Sequence, residues 1–95
     1  MSVRFEWDVN KATVNETKHN VSFAEAATVF RDPIAAIFDD ETHSNEERRE
    51  FIIGHSDKNH LLLVCFSERD DAIRIISARQ ATRRERRDYE EFRIR

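Results

Sequence analysis

The sequence predicts an α+β domain in which an antiparallel sheet packs against two N-terminal helices, in the order β-α-α-β-β-β-β-α. Three observations carry that expectation. Val3, Phe5 and Trp7 alternate with Arg4 and Glu6, the period of a half-buried strand. Phe23, Ala26, Ala27 and Phe30 recur at i, i+3, i+4 and i+7, a helical stripe. Three apolar segments then follow at about 49–55, 61–67 and 73–78, separated by connections too short for anything but antiparallel neighbours.

Each element has local support. Asp8 is placed to cap a helix over about residues 9–18, and Asn20 suits the left-handed residue of a helix stop. Ser22-Phe23-Ala24-Glu25 has the spacing of a capping box, in which hydroxyl and carboxylate each accept a bond from a free amide. Asp32-Pro33 ends the helix that follows. Residues 34–38 read as a short strand, and the acidic stretch 39–47 as a solvated loop. Asp57-Lys58-Asn59 and Arg69-Asp70-Asp71 supply the turns of a three-strand meander. Thr82-Arg83-Arg84-Glu85 is a second capping box. It opens a final helix with Tyr89 and Phe92 as the inward contacts. The sheet face away from the first two helices is expected to be open.

At 95 residues the chain holds one domain, 1–95. One Gly and one Pro exclude Gly-rich phosphate loops, and with them the Rossmann and P-loop readings. The single Cys65 has no internal disulfide partner and fits a reducing compartment. With neither a signal-peptide pattern nor a membrane-length apolar run, the expectation is a soluble, cytoplasmic protein without membrane partners. His43, His55 and His60 show no ligand spacing with Cys65, so no metal and no cofactor is expected.

The net charge of −3 hides a strong asymmetry. Residues 79–95 carry seven Arg against four Asp/Glu, whereas residues 1–78 carry nine Lys/Arg against fifteen. Guanidinium presents a planar fork of donors that matches two phosphate oxygens at once. An arginine-dense strand-to-helix junction on an acidic body therefore points to a phosphate-bearing or acidic partner. A stand-alone nucleic-acid-binding domain fits poorly, because a broad basic surface is missing.

Five blocks then resemble one family. They are Phe5-Glu6-Trp7-Asp8 with Asn10-Lys11-Ala12; Lys18-His19 with Val21-Ser22-Phe23 and Glu25-Ala26; Val29-Phe30 with Asp32-Pro33; Ser67-Glu68-Arg69; and Ile73 to Arg79 with Ala81-Thr82. In order and spacing these are similar to the BrnT toxins of type II toxin–antitoxin systems, over about residues 5–91. Asn20 stands where the family commonly has Gly. The resemblance implies a RelE-like fold and an endoribonuclease that cleaves RNA and inhibits translation. It also implies a BrnA-like ribbon-helix-helix antitoxin, whose complex with the toxin binds operator DNA.

Metal-free RNA cleavage needs a group to deprotonate the 2′-hydroxyl, charge to stabilise the phosphorane, and a donor for the 5′-oxygen. The candidate catalytic set is His19, Glu68, Arg69 and Arg79, with Lys18, Arg83 and Arg84 as phosphate contacts. Arg69 joins this set only if the sheet curls its end toward the same face. Plainer roles stand beside these. His19 sits where an imidazolium caps a helix C-terminus, Glu68 has Arg69 and Arg74 as ion-pair partners, and Arg86 and Arg87 suit a solvated helix face. Glu25 reads as a capping residue rather than a catalyst. Two functional classes follow: a ribonuclease toxin, or an antitoxin-binding module of little activity that works mainly in operon autoregulation.

Overall fold

The structure, a computed structural model, describes residues 3–41 and 48–94, with side chains as far as Glu91. Within residues 39–47, residues 42–47 (His43 among them) lie outside the described residues, as does the side chain of Phe92. The elements are β1 (Arg4–Glu6), α1 (Val9–His19), α2 (Phe23–Thr28) with a 3-10 turn at Val29–Arg31, β2 (Ala36–Asp39), β3 (Glu50–His55), β4 (Leu61–Arg69), β5 (Ala72–Gln80) and α3 (Arg83–Ile94). They form a mixed α+β domain with one five-stranded sheet, ordered β1-β5-β4-β3-β2.

The helix ends follow from local chemistry. The Asp8 carboxylate accepts from Lys11 N–H at 3.0 Å, and Asn20 adopts φ 58° with its N–H on Glu16 O at 2.8 Å. These are the expected cap and left-handed stop. The Ser22 hydroxyl caps α2 by accepting from Glu25 N–H at 3.0 Å. Asp32 closes the 3-10 turn, donating its own N–H to Val29 O, while its carboxylate accepts from Ile34 and His55 N–H.

The sheet is not wholly antiparallel. β2 to β5 form the expected antiparallel series, but β1 pairs parallel with β5, Arg4 opposite Ala72 and Glu6 opposite Arg74. Turn lengths specify pairings between consecutive strands only. The partner of β1 lies at the far end of the chain and is chosen by packing. From the β1 edge the chain passes through α1 and α2 to the opposite edge, where β2 lies.

A register shift between Cys65 and Phe66 sets the burial of β5. Phe66 lies opposite Ile75 and Cys65 opposite Ser77, so Ile76 is the extra residue. Ile75 and Ala78, three positions apart, can therefore both be buried on the α1–α2 side. There they join Val21, Phe23, Ala26, Val29, Ile52, Leu62, Val64 and Phe66 in the main core. Trp7 meets Phe23 edge-on at 6.0 Å, and Phe30 meets Phe66 at 5.0 Å. The opposite face is not open throughout, because Tyr89 of α3 is buried on it against Ile53, Leu61 and Leu63.

Only the first three residues of β5 are covered by β1. Farther along that edge, Asn15 of α1 takes the place of a strand. Its Oδ1 accepts from Ala78 N–H at 3.1 Å, and its Nδ2 donates to Ala78 O at 2.8 Å and Val21 O at 3.0 Å. Asn15 is buried, so alanine would leave these backbone groups unpaired away from water. Asn15→Ala is expected to cost about 3 kcal/mol in urea unfolding, whereas exposed Asn10→Ala should stay within about 0.5 kcal/mol.

Candidate functional site

The β5–α3 junction is built around one carboxylate. Thr82 and Glu85 complete their capping box: Glu85 N–H donates to Thr82 Oγ1 at 3.1 Å, and Thr82 N–H donates to Glu85 Oε1 at 2.8 Å. Arg79 lies opposite Leu63 on β4, which puts its side chain on the α3 face. From there its guanidinium donates to both Glu85 oxygens at 2.8 Å and to Gln80 O at 3.2 Å. These bonds from Arg79 bring the Glu85 carboxyl down to about 2. Part of the Arg79 fork is thus already engaged by a carboxylate. Arg83 and Arg84, in the first turn of α3, are exposed.

Lys18 and His19 belong to a second feature, at the β5 edge. One face of α1, from Asn10 and Lys11 through Val14 and Asn15 to Lys18 and His19, and the strand segment Ile76–Ser77 border a cleft of about 360 Å³. His19 is half-buried there and Lys18 exposed. Asn20 makes the helix stop with its own backbone N–H, which leaves the imidazole available for other work. Ser77 and Arg79 are two residues apart on one strand and share a face, about 7 Å from each other. Ser77 therefore both lines the His19 cleft and shares a sheet face with Arg79.

Glu68 and Arg69 are not brought to this place. Arg69 pairs with Ala72 and Leu63 with Arg79, so seven residues of β5 separate them. At strand rise that is about 23 Å. The reason is the hairpin itself: its turn lies at one end of β4 and β5, and α3 starts at the other. The four proposed catalytic residues therefore do not share one cleft.

A polar cluster around Glu25 has no local signature in the sequence. The Glu25 carboxylate does not complete the capping box suggested by its spacing. It is buried, and its Oε2 accepts from Ser56 Oγ at 2.6 Å and lies 2.8 Å from His60 Nδ1. Burial pushes the Glu25 carboxyl up, but bonds from Ser56 and His60 and the charges of His60 and Lys58 outweigh it, leaving the group below its usual value. Ser56 Oγ also accepts from Lys58 and His60 N–H, so Glu25 ties the β3–β4 turn to α2. No spacing rule links residue 25 to residue 60, and the capping-box pattern supplied a sufficient local explanation. A second tie joins Asp32, His55 and Tyr89. The Asp32 carboxylate accepts from His55 N–H at 2.8 Å and from Tyr89 OH at 3.5 Å, and the His55 and Tyr89 rings meet at 5.7 Å.

Among the described residues no group of three His, Cys, Asp or Glu side chains is arranged to hold a metal ion. Burial, reinforced by Asp40, pushes the Cys65 thiol up to about 11, so it is not a nucleophile near neutral pH. No helix among the described residues is long and apolar enough to cross a membrane.

A family model places this small α+β domain in a class, the ribonuclease toxins of type II toxin–antitoxin systems. The family model described as "Ribonuclease toxin, BrnT, of type II toxin-antitoxin system" matches residues 7–85. The chain belongs to the BrnT family. Its fold is similar to the crystal structure of the Brucella abortus ribonuclease toxin BrnT, with a TM-score of 0.68 at 24% identity, covering 86% of this chain and 100% of that one. Comparison with curated proteins finds no match.

The Arg79–Glu85 pair has a pH signature. Glu85 has a folded-state value below its ordinary 4.5, so its stabilisation is complete above about 4.5 and is lost as pH falls toward about 2. Glu85→Gln keeps an oxygen to accept the Thr82 N–H but loses the charged pair with Arg79, and should cost about 1 kcal/mol at pH 7. It should also flatten the pH dependence of urea stability between pH 5 and 2, measured by circular dichroism. Equal slopes for both proteins would contradict this account.

Proposed function

We propose that this chain is a metal-independent endoribonuclease toxin that acts in the cytoplasm, cleaves RNA and so inhibits translation, and is neutralised by a BrnA-like ribbon-helix-helix antitoxin. The toxin reaches operator DNA only through that complex. The observation that carries the reading is the gathering of Arg79, Arg83 and Arg84 where β5 gives way to α3. On this reading the domain is RelE-like and works without a bound cofactor.

The chemistry follows from the geometry. A scissile phosphate between the junction and the β5 edge meets guanidinium donors and the amides of the α3 N-terminus, which favour the extra charge of the phosphorane. His19, in the cleft that reaches Ser77, is the group suited to trade protons with the 2′-hydroxyl or the leaving 5′-oxygen. Lys18, one residue before it, supplies positive charge at the same cleft. Glu68 and Arg69, about 23 Å from Arg79 by strand rise, contact RNA away from the bond being cut. For RNA to engage Arg79 fully, a phosphate oxygen must share or displace the Glu85 carboxylate.

That last point also favours a second reading. A guanidinium already paired within the chain suits a module that mainly binds its antitoxin and takes part in operon autoregulation. Inducible expression of this chain alone separates the two. The ribonuclease reading expects growth arrest, with RNA cleavage by the purified protein. It further expects a rate loss of about 100-fold for Arg79→Ala and for His19→Ala, and changes under about 3-fold for Glu68→Gln and Arg69→Ala. Arg79→Lys, which keeps the charge but not the fork, should recover only part of the rate. Continued growth and translation with a folded, expressed wild-type chain would leave the binding-module reading.

A further inference from the structure

We propose that the outer edge of β2 and the groove between it and α3 dock an extended segment of the antitoxin, one that places apolar side chains in the groove and a Lys or Arg against its acidic rim. This rests on family membership, which implies an antitoxin, and not on the ribonuclease reading.

The surface is unlike an ordinary strand edge. β2 ends the sheet and pairs only with β3, so its other side presents backbone N–H and C=O groups to no strand among the described residues. Edges of this kind invite a further strand unless charge or a bulge blocks it. Here the strand instead carries Ile37 and Phe38, 55% and 48% exposed, and Ile34 just before it is 44% exposed. Phe38, opposite Phe51, stands on the α3 face, and Ile37, opposite Ile52, on the other, so the edge strand exposes apolar side chains on both of its faces.

Beside that edge lies a groove of about 330 Å³. Ile53 and Leu63 form its floor, Phe38 and Tyr89 stand at its sides, and Glu85 and Asp88 of α3 reach its rim. A strand added to β2 would place every second side chain on the α3 face beside Phe38, at the outer mouth of this groove. The first requirement on the occupant is therefore an apolar residue at every second position. Charge sets the second requirement. Both ionisable residues of the rim are acidic, and Asp88 is exposed. A cationic side chain at the end of the apolar run completes the match, whereas an acidic segment or an RNA backbone would be repelled. A second copy of this chain fits less well, because its own β2 edge ends in Asp39 and it carries the same acidic groove.

Docking here also bears on the arginine junction. Glu85 stands at the groove rim with its carboxylate on Arg79, so a cation brought to the rim competes with Arg79 for the same oxygens. The antitoxin would then act on the junction from the side, through Glu85.

The test uses the full-length chain and the full-length antitoxin encoded with it, in isothermal titration. Phe38→Glu should weaken binding by about 30-fold or more and Asp88→Lys by about 10-fold, with the Asp88→Lys thermal midpoint close to wild type because that site is exposed, and the Phe38→Glu midpoint lowered only by loss of the ring contact with Phe51. Amides of residues 36–39 should gain protection from hydrogen exchange in the complex. Wild-type affinity in a folded Phe38→Glu protein, or protection that spares residues 36–39, overturns the proposal. So does a dimer of the chain alone, seen by sedimentation and abolished by Phe38→Glu, since the occupant would then be a second copy. The catalytic reading fails separately: if wild type cleaves no RNA while Phe38→Glu still loses the antitoxin, docking stands alone.

Discussion

A nine-residue strand bordered by a three-residue one has an edge that its neighbour cannot cover, and the arrangement around β5 answers that mismatch. β1 pairs with its first three residues, and the Asn15 amide pairs with Ala78 farther along. One side chain thereby does the hydrogen bonding of a strand residue while standing on a helix. Because Nδ2 also holds Val21 O, the same amide fixes where α1 stops and α2 begins. The position of His19, four residues along α1, depends on it. So does the β5-edge cleft, which α1 and β5 enclose between them. The register shift at Ile76 acts on the same strand, turning Ile75 and Ala78 into the core together.

Carboxylates, rather than the more conspicuous arginines, organise the polar parts of this molecule. Glu85 gathers the Thr82 amide and the Arg79 guanidinium, Glu25 holds Ser56 and His60, and Asp32 takes the amides of Ile34 and His55. Glu25 and Asp32 collect donors from elements distant in sequence and Glu85 from the end of β5 just before it, and each has its acidity strengthened by them. A buried or half-buried carboxylate is costly unless its lone pairs are occupied. Once occupied, it resists rearrangement, since removing any one donor leaves the others facing an incompletely solvated charge. Glu25 and Asp32 thus lock α2 and the 3-10 turn to β3 and the β3–β4 turn, and Glu85 locks the start of α3 to the end of β5.

Most of the architecture was legible in local pattern. Alternation marked β1, the i, i+3, i+4, i+7 stripe marked α2, and Asp57-Lys58-Asn59 and Arg69-Asp70-Asp71 marked the turns of the meander. Asn20, Asn59 and Asp70 indeed take positive φ at these stops and turns. The features that escaped are long-range. Parallel pairing of β1 with β5, the Asn15–Ala78 bonds and the Glu25–His60 contact join residues 35 to 68 positions apart, for which no periodicity exists. The candidate site divided along the same line. Arg79, Arg83 and Arg84 are close in sequence and remain close at one junction. Arg69 joins them only if the sheet curls, and Glu68 is its neighbour, yet an antiparallel hairpin keeps its turn at the opposite end from its open strands.

The division of charge makes sense of an acidic protein that belongs to a ribonuclease-toxin family. Phosphate contacts along many nucleotides would require a broad basic surface, and each would add salt dependence. A net charge of −3 opposes such spreading. It confines any attraction for RNA to the few places where cations concentrate, the α3 N-terminus and the end of α1. An acidic groove on the α3 face next to an arginine junction then offers two unlike surfaces within one helix's reach. On the proposed readings the arginines take the phosphodiester, while Glu85 and Asp88 take a basic protein segment. Glu85 belongs to both surfaces, so what binds one of them alters the electrostatics of the other. On those readings a substrate site and an inhibitor site are coupled through a single carboxylate.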